Sequence, residues 1–463
     1  MSTSATNAGE QAADRLPELR SSFTGARLAP PRSKPRPPHR RTERPFAGAI
    51  LVLVLLGAGG LAAQSSIRRA LGAYWTSWPG STTLSEALAI DVSNPVTHRR
   101  AAFLAAQRDA DPAAALAELR ETVRLSPLDL NARLELAAML QASGEDDQAE
   151  ATLREAAEID RGYRPRWSLT NFYLRQGRID EFWESARSAL LAYPESTPMV
   201  LGLCWRAFAD STLILDKAVP DSPEVYRKYF AYLLEQERLE ALAELWPRLA
   251  TGLEGQDVPM ASLFLDRLIL AENVELAVEV WNRLCSGKFL SYTPLAYPSG
   301  PYLTNGDFAT RISGFGFDWK VPPARGVFRV QRPADFGTRA LEIRLSGSQG
   351  ESAILLSQVT PLPPGRYLFR YEYATQRLPR LTGLYWVVRD NQTDRILAQS
   401  PFIEAAEDYW NTLSFLFDAA EDSRFLRLEL RYTLPEGVEN HRGRYVMRHA
   451  ALTSVAGEEA AAK

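Results

Sequence analysis

Gly144 and Gly177 lie 33 residues apart in matching surroundings. Before the first runs an apolar stripe at helical spacing, Leu136, Ala137 and Leu140. Before the second run Leu169 and Tyr173 or Leu174. After each glycine a new stripe begins: Ala149, Leu153 and Ala156, then Phe182 and Ala186, closed by Pro194. Ala149 and Phe182 are again 33 residues apart. Glycine ends helices because it enters the left-handed region without a steric penalty. One helix pair cannot bury its stripe alone, so a chain built this way must stack its units. An earlier unit is legible in Ala102, Leu104, Ala105, Ala115, Leu119 and the closing Pro127. A looser one follows: Leu239–Leu249 recurs as Val274–Leu284, with Trp246 and Trp281 35 residues apart.

The pattern over residues 96–194 resembles tetratricopeptide repeats, and its degenerate form extends to about residue 286. The resemblance implies an α-solenoid over residues 80–286. It also implies a concave surface of first-helix side chains that takes a protein partner, here expected to be another envelope protein. Trp167 stands near the family's early tryptophan position; Trp167, Trp246 and Trp281 are expected in the core. Cys204 and Cys285 are about 80 residues apart and form no CxxC pair, so two free buried thiols are expected, with a disulfide as the alternative.

Near residue 290 the period changes. A Pro-rich connector, residues 287–301, leads into alternation with period two. Leu341, Ile343 and Leu345 alternate with Glu342 and Arg344. Tyr367, Phe369, Tyr371 and Tyr373 alternate with Leu368, Arg370 and Glu372, and Leu426, Leu428, Leu430 and Tyr432 with Arg427, Glu429 and Arg431. With Leu413, Phe415 and Phe417 and further runs near 326–332, 353–359, 383–390, 395–402 and 444–454, about eight or nine strands are predicted. Each has one apolar face, so two antiparallel sheets packed face to face are expected.

The opening Leu303-Thr304-Asn305-Gly306-Asp307-Phe308, then Gly314-Phe315-Gly316-Phe317-Asp318-Trp319, resembles the start of jelly-roll carbohydrate-binding modules. The resemblance covers residues 302–455. It implies sugar contact through flat aromatic rings, with Tyr409, Trp410, Trp319, Tyr385 and Trp386 as candidates. Trp319 and Trp386 read more readily as core anchors, and Tyr409-Trp410 as the best exposed candidate. Ala309 stands where the family usually has a glutamate that helps hold structural calcium, so no metal is expected. Outward arginines such as Arg344, Arg370, Arg389, Arg427 and Arg431 suit an anionic glycan, or are neutralised by the interleaved Glu342, Glu372 and Glu429.

Charge is balanced at −3 over 463 residues, which argues against a nucleic-acid partner. It is unevenly placed, with nine Lys/Arg against four acids in residues 1–45. That Pro-rich stretch cannot build a core and is expected to be a disordered cytoplasmic tail. Phe46–Ala63 follows, eighteen residues without a charge. Extended to residue 67, it would span roughly 30 Å as a helix. The basic flank predicts a single-pass inner-membrane anchor with the N-terminus inside and the bulk of the chain periplasmic. A cleaved signal peptide is the alternative. Residues 456–463 are expected to be a disordered tail.

The fold class expected is therefore α + β multidomain: one transmembrane helix, an α-solenoid of paired helices, then an antiparallel β-sandwich of jelly-roll type. There is no P-loop, GxGxxG, GxSxG or HExxH motif and there are only four histidines, so no cofactor and no catalytic residue are expected. The whole is similar to membrane-anchored repeat proteins of bacterial exopolysaccharide or O-antigen systems, which implies a non-enzymatic scaffold. A direct polysaccharide-binding protein is the alternative, followed by a glycan-active enzyme using acids such as Glu404, Glu407 and Asp408. A periplasm-dependent reporter fused after Lys463 should be active; activity only of a cytosol-dependent reporter would reverse the topology.

Overall fold

Asn94 accepts a hydrogen bond from the Val96 amide at 3.0 Å, and Pro95 follows it. This is the usual chemistry of a helix start, where a short polar side chain satisfies an orphan amide. Asp111, Asp129, Asp210 and Asn273 cap four later helices in the same way. The computed structural model describes residues 62–64, 66–68, 70, 88, 89 and 91–455, except 109, 334–338, 408 and 438–440. The expected tails, and the apolar segment 46–67 apart from residues 62–64, 66 and 67, lie outside these. Among the described residues no helix is long and apolar enough to cross a membrane. The chain divides into two compact units, residues 1–71 and 72–463, and the second holds the helix pairs and both sheets.

Six helix pairs come first among the described residues: α1 Pro95–Gln107 with α2 Pro112–Leu125, α3 Leu130–Ala142 with α4 Asp146–Ile159, and α5 Tyr163–Arg175 with α6 Ile179–Ala192. Then come α7 Thr197–Phe208 with the short α8 Ser211–Lys217, α9 Pro223–Glu235 with α10 Leu239–Thr251, and α11 Val258–Leu270 with α12 Val274–Ser286. The stripes predicted around Gly144 and Gly177 are buried, and Trp246 and Trp281 are fully so. Gly144 and Gly177 take φ of +78° and +68°. In the last two pairs the corresponding turn residues are Glu237 and Glu272, at +55° and +56°. The turn geometry persists where its glycine does not, which is why a glycine-based period fades after residue 194. Equivalent contacts recur along the stack. Arg248 donates to the Leu215 carbonyl at 3.1 Å and Arg283 to the Ala250 carbonyl at 3.0 Å, each reaching back 33 residues. Cys204 and Cys285 are free and buried, and burial pushes both thiols up to about 12.

Nine strands follow among the described residues: β1 Val327–Pro333, β2 Arg339–Ser346, β3 Ser352–Pro361, β4 Gly365–Gln376, β5 Leu384–Asp390, β6 Ile396–Gln399, β7 Asn411–Ala419, β8 Phe425–Thr433 and β9 Arg442–Ser454. They form two antiparallel sheets, ordered β1-β2-β9-β4-β7 and β3-β8-β5-β6. From β2 onward the chain crosses from sheet to sheet at each step, except that β5 and β6 are consecutive in one, and this is a jelly-roll path. The inner faces meet over a core of Trp319, Trp386, Phe369, Tyr371, Leu428 and Tyr445. Gly306 is fixed by contact, since a Cβ there would lie 2.0 Å from the Ala450 carbonyl oxygen.

The expected connector 287–301 is tied down. The Asn282 side chain exchanges two hydrogen bonds with the Leu295 backbone, 2.8 and 2.7 Å, and Tyr292 stacks on Trp281 at 5.4 Å. Sandwich residues Phe317, Val359 and Phe425 belong to the same apolar core as the helices. The loop 313–317 carries Phe315 and Phe317 to within 6.2 and 5.7 Å of the Trp281 ring. Gly316, at φ +55°, lies where a Cβ would be 2.5 Å from Leu265. Its amide donates to Asp266 at 3.1 Å, and Lys320 reaches the same carboxylate oxygen. Array and sandwich thus share one core. Trp281→Ala should cost about 3–5 kcal/mol. Calorimetry should show the wild type melting in one transition and the variant melting lower, with sandwich and array uncoupled.

Candidate functional site

Two surfaces remain open. On the array, α1 and α3 are the first helices of successive pairs and lie side by side. Between them runs a groove of about 660 Å³. Val96, Phe103 and Ala106 line one wall and Ala138, Met139 and Ala142 the other. Arg99 and Glu135 form an ion pair across it. Phe103 is 63% exposed. A phenylalanine left open to water beside alanines costs hydrophobic free energy, and the cost is recovered only when something covers the ring. A smaller hollow of about 190 Å³ continues toward α5, with Ala138, Leu134, Trp167 and Asn171 in its wall. Trp167 is therefore partly buried at a groove edge, unlike Trp246 and Trp281. Phe103 was hidden from sequence reading because its neighbours Ala102, Leu104 and Ala105 carried the stripe. A large aromatic one position out of phase was the available signal.

On the sandwich, the expected sugar-binding rings separate. Trp319 and Trp386 have 0% exposure and pack 6.2 Å apart, with Trp386 also 4.8 Å from Phe369. As candidate sugar contacts they are corrected to core residues, because a fully buried ring has no face to offer a pyranose. The Trp319 indole N–H is spent on the Asn305 carbonyl at 3.0 Å, which ties the opening motif to the core. Tyr385 is half-buried on the outer face of the four-stranded sheet, edge-on to Phe402 at 5.4 Å and hydrogen-bonded with Thr433 at 3.1 Å.

Tyr409 and Trp410 lie just before β7 of the five-stranded sheet. The segment leading to them is pinned by Ile403 and Ala406, both buried, and by paired Thr375–Ala406 hydrogen bonds of 3.0 and 2.7 Å. It ends with Tyr409 78% exposed and Trp410 immediately before β7. The Arg448 guanidinium lies 3.9 Å from the centre of the Trp410 ring, a cation–π contact. Arg448 also donates to Glu372 at 2.8 Å, with His449 at 3.5 Å. Burial works to raise the Glu372 carboxyl, but Arg448 and His449 outweigh it and hold the group below its ordinary value.

Alternation and register place further arginines on this outer face. Arg332 and Arg344 flank Glu342, which is itself buried, and Arg366 faces Asp418 at 3.9 Å. Arg370, Arg442 and Arg444 have no acid partner among the described residues. Arg344 stands directly opposite Arg444, which in turn faces Gln376. Phe328 pairs with Arg344 from β1 and is 61% exposed. On the other sheet Arg389, Arg427 and Arg431 close around the buried Glu429, the self-neutralised arrangement. Of the acids considered for catalysis, Glu404 lies 4.0 Å from Arg380 and Asp408 is outside the described residues. Among the described residues no cluster of His, Cys, Asp and Glu could hold a metal ion. At the position of Ala309, its amide donates to Asp307 at 3.1 Å.

The chain matches no protein-family model and no curated protein. Among solved structures it is similar to a CBM4 carbohydrate-binding module at 11% identity, over 32% of this chain and 97% of that one, with a TM-score of 0.24. It is similar to TmCBM61, solved with β-1,4-galactotriose, at 17% identity over 34% and 99%, TM-score 0.24. A third is YrrB, described as a TPR protein with an unusual peptide-binding site, at 11% identity over 44% and 91%, TM-score 0.23. Each likeness concerns one part of the chain.

A depressed folded-state pKa means that Glu372 contributes stability at neutral pH, and that this is lost as pH falls through the depressed value. In a carboxyl NMR titration its midpoint should lie below the ordinary glutamate value of about 4.3. Arg448→Gln should move that midpoint upward and change Trp410 fluorescence; an unmoved midpoint would refute the pairing.

Proposed function

We propose that this protein is a non-enzymatic scaffold of the bacterial cell envelope, with the helical array as its protein-binding part and the sandwich as its glycan-contacting part. The observation that carries the reading is the α1–α3 groove. It is open and apolar, and it is walled by side chains of two successive first helices, the surface that helix-pair arrays present to partners. An amphipathic or apolar segment laid along it would cover Phe103, Val96 and Met139 while the Arg99–Glu135 pair marks its border. On the sandwich, the reading is supported by Trp410, packed on Arg448 of the five-stranded sheet's outer face, and by the exposed Tyr409 beside it, away from the array-packed Val359 and Phe425.

The envelope setting rests on the apolar run 46–67 and its basic flank. In this proposal the segment anchors the chain in the inner membrane, with array and sandwich on the periplasmic side. The polysaccharide pathway, exopolysaccharide or O-antigen assembly or export, rests on the sequence resemblance and on the pairing of a repeat array with a sandwich. A direct polysaccharide-binding role with the array as spacer is the second reading, favoured by the exposure of Tyr409.

The test is capture of membrane-extracted partners by the full chain, wild type against Phe103→Glu. A charge placed in the groove should remove a partner that the wild type retains and weaken binding by about tenfold or more, since a buried unpaired carboxylate costs several kcal/mol. Identical capture by both proteins would show that the groove is not the docking surface.

A further inference from the structure

Among the described residues, the outer face of the five-stranded sheet carries more arginine than its acids neutralise. Glu342 serves two arginines, Arg332 and Arg344. Glu372 serves Arg448, and Asp418 is 3.9 Å from Arg366. Arg370, Arg442 and Arg444 are left over among the described residues. The placement matters more than the number. Like charges directly opposite on neighbouring strands are destabilising, and Arg344 and Arg444 occupy that relation. The other sheet also sets Arg389 opposite Arg427, but there both arginines have acid partners, whereas Arg444 has none among the described residues. There three arginines converge on one buried carboxylate and Asp394 pairs with two of them. Each arginine of that cluster has an acid partner; on the five-stranded face three have none among the described residues.

Aromatic rings bound the unbalanced face. Phe328 stands on the edge strand β1 beside Arg344, and Trp410 stands just before the opposite edge strand β7, against Arg448. Five strands at about 4.8 Å spacing set these edges roughly 19 Å apart. A row of cations between the exposed Phe328 ring and the half-buried Trp410 ring matches a polymer that alternates ring faces with carboxylates. Arginine suits that task, because its planar fork donates two parallel hydrogen bonds to one carboxylate.

From this charge pattern we propose that the five-stranded face binds an acidic polysaccharide. Its uronate carboxylates are taken by Arg444, Arg370 and Arg344, and its sugar rings lie on Trp410 and Phe328. The inference rests on the glycan-contacting role proposed above and names the class of glycan. It also assigns the work to Arg370, Arg444 and Phe328.

The experiment is affinity electrophoresis of the full chain in gels containing polygalacturonate, alginate, fully methyl-esterified polygalacturonate or polyglutamate. Retardation by the two acidic polysaccharides is expected, weakening as salt rises. The esterified polymer, with the same backbone and no charge, should not retard the protein. Arg370→Gln/Arg444→Gln should weaken binding about tenfold or more, since both charge-assisted contacts to carboxylate are removed. Its thermal midpoint should stay unchanged or rise, because neither arginine has an acid partner among the described residues and one like-charge pair is relieved. Trp410→Ala should weaken binding independently of salt.

Equal retardation by the esterified polymer would leave the glycan reading standing and overturn the acidic one. Equal retardation by polyglutamate would reduce the face to a general polyanion surface and overturn the proposal. Acidic-glycan binding untouched by the arginine variant would place the site elsewhere. No retardation by any polymer would overturn both this inference and the glycan-contacting role.

Discussion

Trp281 is the joint on which this molecule turns. Its ring is fully buried, stacked by Tyr292 from the connector and met edge-on by Phe315 and Phe317 from the sandwich. A stack of helix pairs always ends with one apolar face that has no following pair to cover it. Here the sandwich supplies the cover, and the Gly316 turn lets the loop come close enough to do so. The Asp266 carboxylate then satisfies the amide of that turn and the Lys320 ammonium, so the polar groups trapped at the joint are not left orphaned. The sandwich therefore acts as the terminal cap of the array. Its four-stranded sheet faces that contact, and among the described residues none of the five-stranded sheet joins it.

That asymmetry organises the functional surfaces. The outer face of the four-stranded sheet is spent twice, on the helices through Val359 and Phe425 and on the Glu429 arginine cluster. What is left for a ligand is the opposite side, where Trp410, Arg448 and Phe328 lie. The array shows a similar division. Its last pair is covered by the sandwich, and its open apolar groove lies between the first helices of the first two described pairs. Two candidate surfaces held at fixed separation by a shared core would suit the proposed scaffold, because engagement of one would position whatever the other held.

Much of this was legible in the residues. The stripes around Gly144 and Gly177 announced stacked helix pairs, and the alternation in residues 341–345, 367–373 and 426–432 announced half-buried strands. Both signals are local periodicities, fixed by 3.6 residues per helical turn and two per strand. The middle of the array was harder to see. The fourth pair is shortened by the seven-residue α8, and the turns of the last two pairs use Glu237 and Glu272 in the left-handed region. The aromatic candidates show the limit more sharply. Trp319, Trp386, Tyr385 and Trp410 look alike as sequence, yet two are core, one lies on the outer face of one sheet and one on the other.

The kinds of element and their order were settled by the amino-acid order alone, because helix and strand periodicity are written in neighbouring residues and need no distant partner. Which aromatic rings stay open was settled in three dimensions. Packing set Arg344 opposite Arg444, left Phe103 uncovered and turned Gly314-Phe315-Gly316-Phe317 from the front of a module into a contact with the helices. Those outcomes depend on register between strands far apart in the chain and on what packs against each face, and neither is carried by local spacing.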